Sequence, residues 1–155
     1  MVNILTYILS ILYFCLPIYM LNMTPPVAAK LKIFDFLGIP VDFNKKFLNK
    51  PIFGNHKTLR GIVSSYIVGV FYIFLQKQLY NISFFYKLSL IDYQAINLLC
   101  FSILFSSGAI LGDLFFAFIK RRLNLEPGAP FMPFDQINYI LGSMIFIEPF
   151  FKIGI

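Results

Sequence analysis

The sequence predicts an all-α integral membrane protein with four transmembrane helices, and three observations predict it. The chain has 155 residues, of which 59% are hydrophobic and only 13% charged. A soluble domain carries about 25% charged residues, so this chain lacks the charge to cover a water-facing surface. Mean hydropathy is +0.78. Four long apolar runs alternate with polar loops, and the cations gather in two of those loops. The length suits one domain, 1–155.

The first run is Ile4–Leu21, 18 residues without a charge. About 20 apolar residues span a bilayer. No basic segment precedes it and no A-x-A site follows, so it reads as a retained helix bent near Pro17 rather than a cleaved signal. A 37-residue polar segment, Thr24–Arg60, follows with four prolines and seven cations. The second run, Gly61–Leu75, ends at Gln76, Lys77 and Gln78. The third, Ala95–Ile119, is 25 residues long and contains Asp113. A loop broken by Pro127, Gly128, Pro130 and Pro133 leads to the fourth run, Ile137–Phe151. Gly108 and Gly112 form a small-x-x-x-small pattern that lets a neighbouring helix approach closely. Cys15 and Cys100 lie in apolar runs, apart from each other and from His56. They read as small core residues, and a zinc site at His56 is not expected.

The distribution of Lys and Arg sets the expected orientation. With the N-terminus outside, the loops 24–60 and 120–135 face the cytoplasm and carry ten cations, against three elsewhere (Lys77, Lys87 and Lys152). The reverse orientation inverts that ratio. The net charge of +6 is thus arranged for a bilayer, and no nucleic-acid partner is expected. The sequence specifies no oligomeric state.

An acid inside an apolar helix points to function. On a helical wheel Ser102, Ser106, Ala109, Asp113, Ala117 and Lys120 share one small, polar stripe, away from Leu111, Leu114, Phe115 and Phe118. Asp113 therefore faces the bundle interior. Asp135 stands at the start of the fourth run, where it can converge with Asp113 near the cytoplasmic rim. Two hard oxygen ligands among Lys120, Arg121 and Arg122 suit Mg²⁺ and a polyphosphate. The stretch GNHKTLRG, Gly54–Gly61, adds Asn55, Lys57, Thr58 and Arg60 before the second helix. Lys57 and Arg60 offer charge to phosphate, Thr58 a hydroxyl, and the helix start its N–H groups. Read alone, the Lys120–Arg122 cluster is more simply a lipid anchor, and Asp113 has a helix-to-helix ion pair as its structural alternative, although an intramembrane acid reads as functional by default.

Three stretches resemble one family. They are TPPVAAK (Thr24–Lys30), PVDFNKKFLNKPIFGNHKTLRG (Pro40–Gly61) and GDLFFAFIKRRLNLEPGAPFMPFDQIN (Gly112–Asn138). The second is similar to a proline-aspartate-phenylalanine stretch leading to G-x-x-K-T-W-R-G. The third is similar to G-D-x-x-x-S-F-x-K-R-R-x-G followed by P-x-D-Q-x-D. These motifs belong to the CDP-archaeol synthases, integral membrane cytidylyltransferases related to phosphatidate cytidylyltransferases. The likeness covers Thr24–Gly142. Leu59 replaces the motif's Trp, Ala117 its Ser, and Asn138 its second Asp. The family has five membrane helices, so with four runs the chain reads as a member shortened at its C-terminus.

The resemblance implies transfer of CMP from CTP to a membrane lipid phosphate, with Mg²⁺ required. The lipid it implies is 2,3-bis-O-geranylgeranylglycerol 1-phosphate, and the products are CDP-archaeol and pyrophosphate. Asp113 and Asp135 are then expected as metal ligands, and Lys120 as a catalytic group. Asn55, Lys57, Thr58, Arg60, Arg121, Arg122 and Asn138 are expected to bind substrate, on the cytoplasmic face of the cell membrane. Two other readings compete: an inactive membrane scaffold derived from such an enzyme, and a small transporter or channel subunit.

Overall fold

The computed structural model describes residues 3–151. Five α-helices and one short hairpin make up the fold: α1 (Ile4–Lys30), β1 (Lys46–Phe47), β2 (Lys50–Pro51), α2 (Leu59–Leu79), α3 (Ser83–Leu88), α4 (Leu98–Arg122) and α5 (Phe134–Ile147). Three of them, α1, α2 and α4, are long and apolar enough to cross a membrane. The fourth apolar run forms α5, only 14 residues long, or about 21 Å at 1.5 Å per residue.

Helix α1 continues through Thr24–Lys30, where the sequence suggests a loop. It carries Pro17, Pro25 and Pro26 in its interior. A proline removes the N–H that would bond the carbonyl four residues earlier. Pro17 thus frees the Tyr13 carbonyl and Pro25 the Leu21 carbonyl. Both are recaptured by α2: Gln76 Nε2 donates to Tyr13 O at 2.5 Å and Ser65 Oγ to Leu21 O at 2.9 Å. Inside an apolar bundle such orphan carbonyls need protein partners. Gln76, which in sequence marks the end of an apolar run, is 2% exposed. It also accepts from the Tyr93 hydroxyl at 2.8 Å.

Helices α4 and α5 pack through glycine. A Cβ on Gly108 would strike the Gly142 carbonyl, one on Gly112 the Asn138 carbonyl, and one on Gly142 the Gly108 carbonyl. The small-x-x-x-small pattern therefore serves close helix packing, as its spacing suggests. Ser143 Oγ donates to Phe105 O at 2.8 Å and closes the same interface. The polar stripe of α4 lies inward: Ser102, Ser106, Ala109, Ala117 and Lys120 are buried, while Leu111 and Phe115 are exposed on the other side. Lys152 lies outside the described residues.

Candidate active site

Both long loops meet at one end of the bundle. The first, 31–58, is organised by a carboxylate that sequence reasoning passed over. Asp42 is buried and accepts from the backbone N–H groups of Phe53 (2.9 Å), Gly54 (3.1 Å) and Asn44 (3.0 Å). Burial raises its pKa, but those three donors outweigh burial and hold it below the ordinary carboxylate value. Asp42 thereby fixes the turn at Gly54, whose φ of 94° favours glycine, and delivers Asn55, His56 and Lys57 to the bundle. Thr58 ends the loop as the N-cap of α2, its Oγ1 accepting from Gly61 N at 3.2 Å.

Two cavities adjoin here. The larger, about 410 Å³, is lined by Asn22 and Pro25 of α1, Asn55, His56, Lys57 and Thr58 of the loop, Arg60 of α2, and Asp113, Leu114 and Tyr139 of α4 and α5. The smaller, about 110 Å³, is lined by Phe53, His56, Lys57, Asp113, Lys120, Arg121, Gly128 and Asp135 among others. Asp113, His56 and Lys57 face both. The expected convergence of Asp113 and Asp135 is thus a shared cavity wall, brought about by the α4–α5 glycine contact.

Each acid has a lysine. Lys57 Nζ reaches Asp113 Oδ1 at 2.7 Å and Oδ2 at 2.5 Å. Lys120 Nζ reaches Asp135 at 3.0 and 2.9 Å. Asp135 also accepts from the Phe131 N–H at 2.7 Å. Buried Asn138 directs its Nδ2 to Asp113 Oδ1 at 3.4 Å, while its Oδ1 accepts from Tyr139 N. Arg121 is 5% exposed. Its Nη2 donates to Glu126 O at 2.9 Å, and its Nε and Nη1 have no partner among the described residues. A buried guanidinium with two idle donors is costly unless an anion arrives.

Two expected phosphate ligands are engaged elsewhere. Arg60 lines the larger cavity but bonds Asp35 at 2.7 Å. Arg122 lies outside both cavities. It donates to the carbonyls of Phe47 (2.9 Å), Lys50 (3.3 Å) and Pro51, and its guanidinium lies over the Phe118 ring. Successive helical residues point about 100° apart, so Arg121 and Arg122 face different directions, and Arg122 clips the hairpin. Sequence reasoning missed His56 and Tyr139 as lining residues. Tyr139 had no signal beyond its place beside Asn138, and His56 was weighed only for zinc.

Comparison with known proteins identifies the family. The family profile described as CarS-like, CDP-archaeol synthase, matches residues 1–155. A CDP-archaeol synthase of Pyrococcus furiosus is 33% identical over 147 residues, covering 92% of this chain and 76% of that protein. One of Pyrobaculum islandicum is 36% identical over 140 residues, covering 88% of this chain and 74% of that protein. A solved structure of an intramembrane enzyme for archaeal membrane lipid biosynthesis superposes with a TM-score of 0.73 at 24% identity. It covers 92% of this chain and 78% of the solved one, which establishes the fold. The three apolar helices, the loops joined over a half-buried acid and the match along residues 1–155 lead to one assignment: the chain belongs to the CDP-archaeol synthase family of multi-pass membrane enzymes.

Proposed function

We propose that this chain transfers CMP from CTP to a membrane lipid phosphate, giving a CDP-lipid and pyrophosphate. In this reading the lipid is 2,3-bis-O-geranylgeranylglycerol 1-phosphate and the product CDP-archaeol, the compound named in the relatives' descriptions. The observation that carries the reading is the small cavity in which Asp113 and Asp135, each with a lysine, face the idle donors of Arg121. A site with acids and surplus cations suits a metal-bound polyphosphate.

The residues fit magnesium. Among the described residues no three His, Cys, Asp or Glu side chains cluster for a metal. Two carboxylates with a nearby amide match Mg²⁺, which takes one or two protein carboxylates and completes its shell with water and phosphate. Asp113 and Asp135 would hold it, with Asn138 beside them. When bound, the metal neutralises charge on the phosphates.

In the reaction an oxygen of the lipid phosphate forms a bond to the α-phosphorus of CTP. The bond from that phosphorus to the oxygen bridging the β-phosphate breaks, and pyrophosphate leaves with the electron pair. The protein positions the groups and balances their charge. Lys57 and Lys120 each hold a carboxylate now and can turn to phosphate when those oxygens take a cation. Arg121 receives the departing pyrophosphate on Nε and Nη1. Thr58 Oγ1, which accepts from Gly61, keeps its proton to donate. Arg60 and Asn55 line the larger cavity, suited to the nucleotide. Apolar Ile62, Ile110 and Leu114 also line that cavity, where the lipid's glycerol end would lie, with its tails between helices.

The orientation that places this end in the cytoplasm follows from the cation count. It puts the N-terminus of α1 outside and gives α5 the fourth passage. The test is turnover by purified protein given CTP, Mg²⁺ and either an isoprenoid-ether or an acyl-ester lipid phosphate. The ether lipid should yield CDP-lipid. Product from neither lipid would overturn the reading.

A further inference from the structure

The hairpin is poorly explained by the reaction. Its two-residue turn, Leu48-Asn49, has φ of 50° and 61°, the type I′ geometry that favours Asn-Gly. Asn49 suits it, but a leucine with positive φ is an outlier. Leu48 is also 74% exposed, so no packing contact within the chain compensates the strain. Phe43 and Phe47, near it in the chain, are exposed as well, and Lys45 and Lys46 stand beside them, exposed and without a carboxylate partner among the described residues.

The position of the hairpin gives this surface a meaning. Phe47 lies 6.1 Å from the Phe118 ring, and Arg122 ties both strands to the end of α4. Phe118 and Arg122 continue, at helical spacing, the stripe of Leu111 and Phe115, which is exposed on the outer face of this membrane helix. The hairpin therefore rides on the lipid-facing side of α4, at the level where its cationic end leaves the apolar layer. Aromatic and leucine side chains beside lysines match the boundary between acyl chains and anionic headgroups.

We propose that the β1–β2 hairpin is a membrane-interface anchor: Phe47 and Leu48 enter the headgroup–acyl boundary of the leaflet at the site's end of the bundle, and Lys45 and Lys46 bind its anionic headgroups. The anchor holds the loop that carries Lys57 level with the membrane surface. It depends on the fold and not on which reaction the site performs.

The chain contains no tryptophan, so Leu48→Trp introduces a single indole at the turn. In full-length protein reconstituted into phosphatidylcholine vesicles containing phosphatidylglycerol, its emission should shift to the blue. Lipids brominated near the carbonyl end of their chains should quench it, and aqueous iodide should not. Lys45→Glu with Lys46→Glu should weaken the lipid quenching. If Leu48→Trp does not fold, Phe47→Trp, which keeps an aromatic ring by Arg122, reads the same depth. Emission typical of water, quenched fully by iodide and not by brominated lipid, would overturn the proposal.

Discussion

Replacing Gly142 by alanine tests how the site is assembled. The new Cβ would meet the Gly108 carbonyl, with Gly112 Cα at 2.9 Å and Gly108 C at 3.0 Å. All three are backbone atoms, so no side chain can turn aside. Carbon atoms rest about 3.5–4.0 Å apart, so α5 must move outward by roughly 1 Å. Overpacking of this kind costs about 1–3 kcal/mol. The larger consequence falls on activity. Helix α4 carries Asp113 and Lys120, and α5 carries Asp135 and Asn138, so the shift opens the site directly. A displacement of about 1 Å at a reacting centre can cost ~10²-fold in rate. CDP-lipid formation by Gly142→Ala should fall by about that factor, with a lowered melting temperature in detergent. Leu141→Ala, at an exposed neighbouring position, should leave both nearly unchanged. Wild-type turnover and stability in Gly142→Ala would refute the claim that the glycine contact aligns the acids.

Four further outcomes follow from the same geometry. Asp113→Asn and Asp135→Asn should each abolish CDP-lipid formation in a radiolabel assay, while circular dichroism shows an intact helical bundle. Asn138→Asp places a second acid beside Asp113 and should lower the Mg²⁺ concentration for half-maximal activity; superimposable magnesium titrations would remove residue 138 from the metal's surroundings. Asp42 has a depressed pKa when folded, so its contribution is complete above the unfolded value of about 3.9 and is lost as pH falls through the lower folded value. Protease resistance of the loop 31–58 should hold from neutral pH to about 4 and fail below, and Asp42→Asn should be weaker and lack that dependence. Cysteines at positions 45 and 128 should escape an impermeant thiol reagent in intact cells, and efficient labelling of both would reverse the orientation.

Much of the site was legible because the bilayer simplifies the reading. An acid within an apolar run is conspicuous, and helical periodicity alone places Asp113 on the inward stripe with Ser106 and Lys120. The glycine pair at 108 and 112 announces close packing in the same way. The end of α1 was not legible. Thr24, Pro25 and Pro26 read as a helix stop, and what continues the helix is Ser65, covering the freed Leu21 carbonyl from 44 residues on. Nor could the sequence divide the work among Lys120, Arg121 and Arg122. Three adjacent cations look alike until the helix turns them apart, toward Asp135, into the cavity and onto the hairpin. The hairpin itself is two residues per strand with a leucine in its turn, and it matches no usual turn signal. Asp42 acts only on backbone N–H groups, and such a role has no spacing to detect.

The central claim is that the cavity between Asp113 and Asp135 transfers the CMP unit of CTP to a lipid phosphate. It is tested most directly by following the label from CTP carrying radioactive phosphorus at the α- or the γ-position, with 2,3-bis-O-geranylgeranylglycerol 1-phosphate and Mg²⁺. The account predicts that α-label enters the organic-extractable lipid, γ-label appears only in pyrophosphate, and Asp113→Asn stops both. Transfer of γ-label to lipid, absence of label from lipid altogether, or undiminished transfer by Asp113→Asn would contradict it.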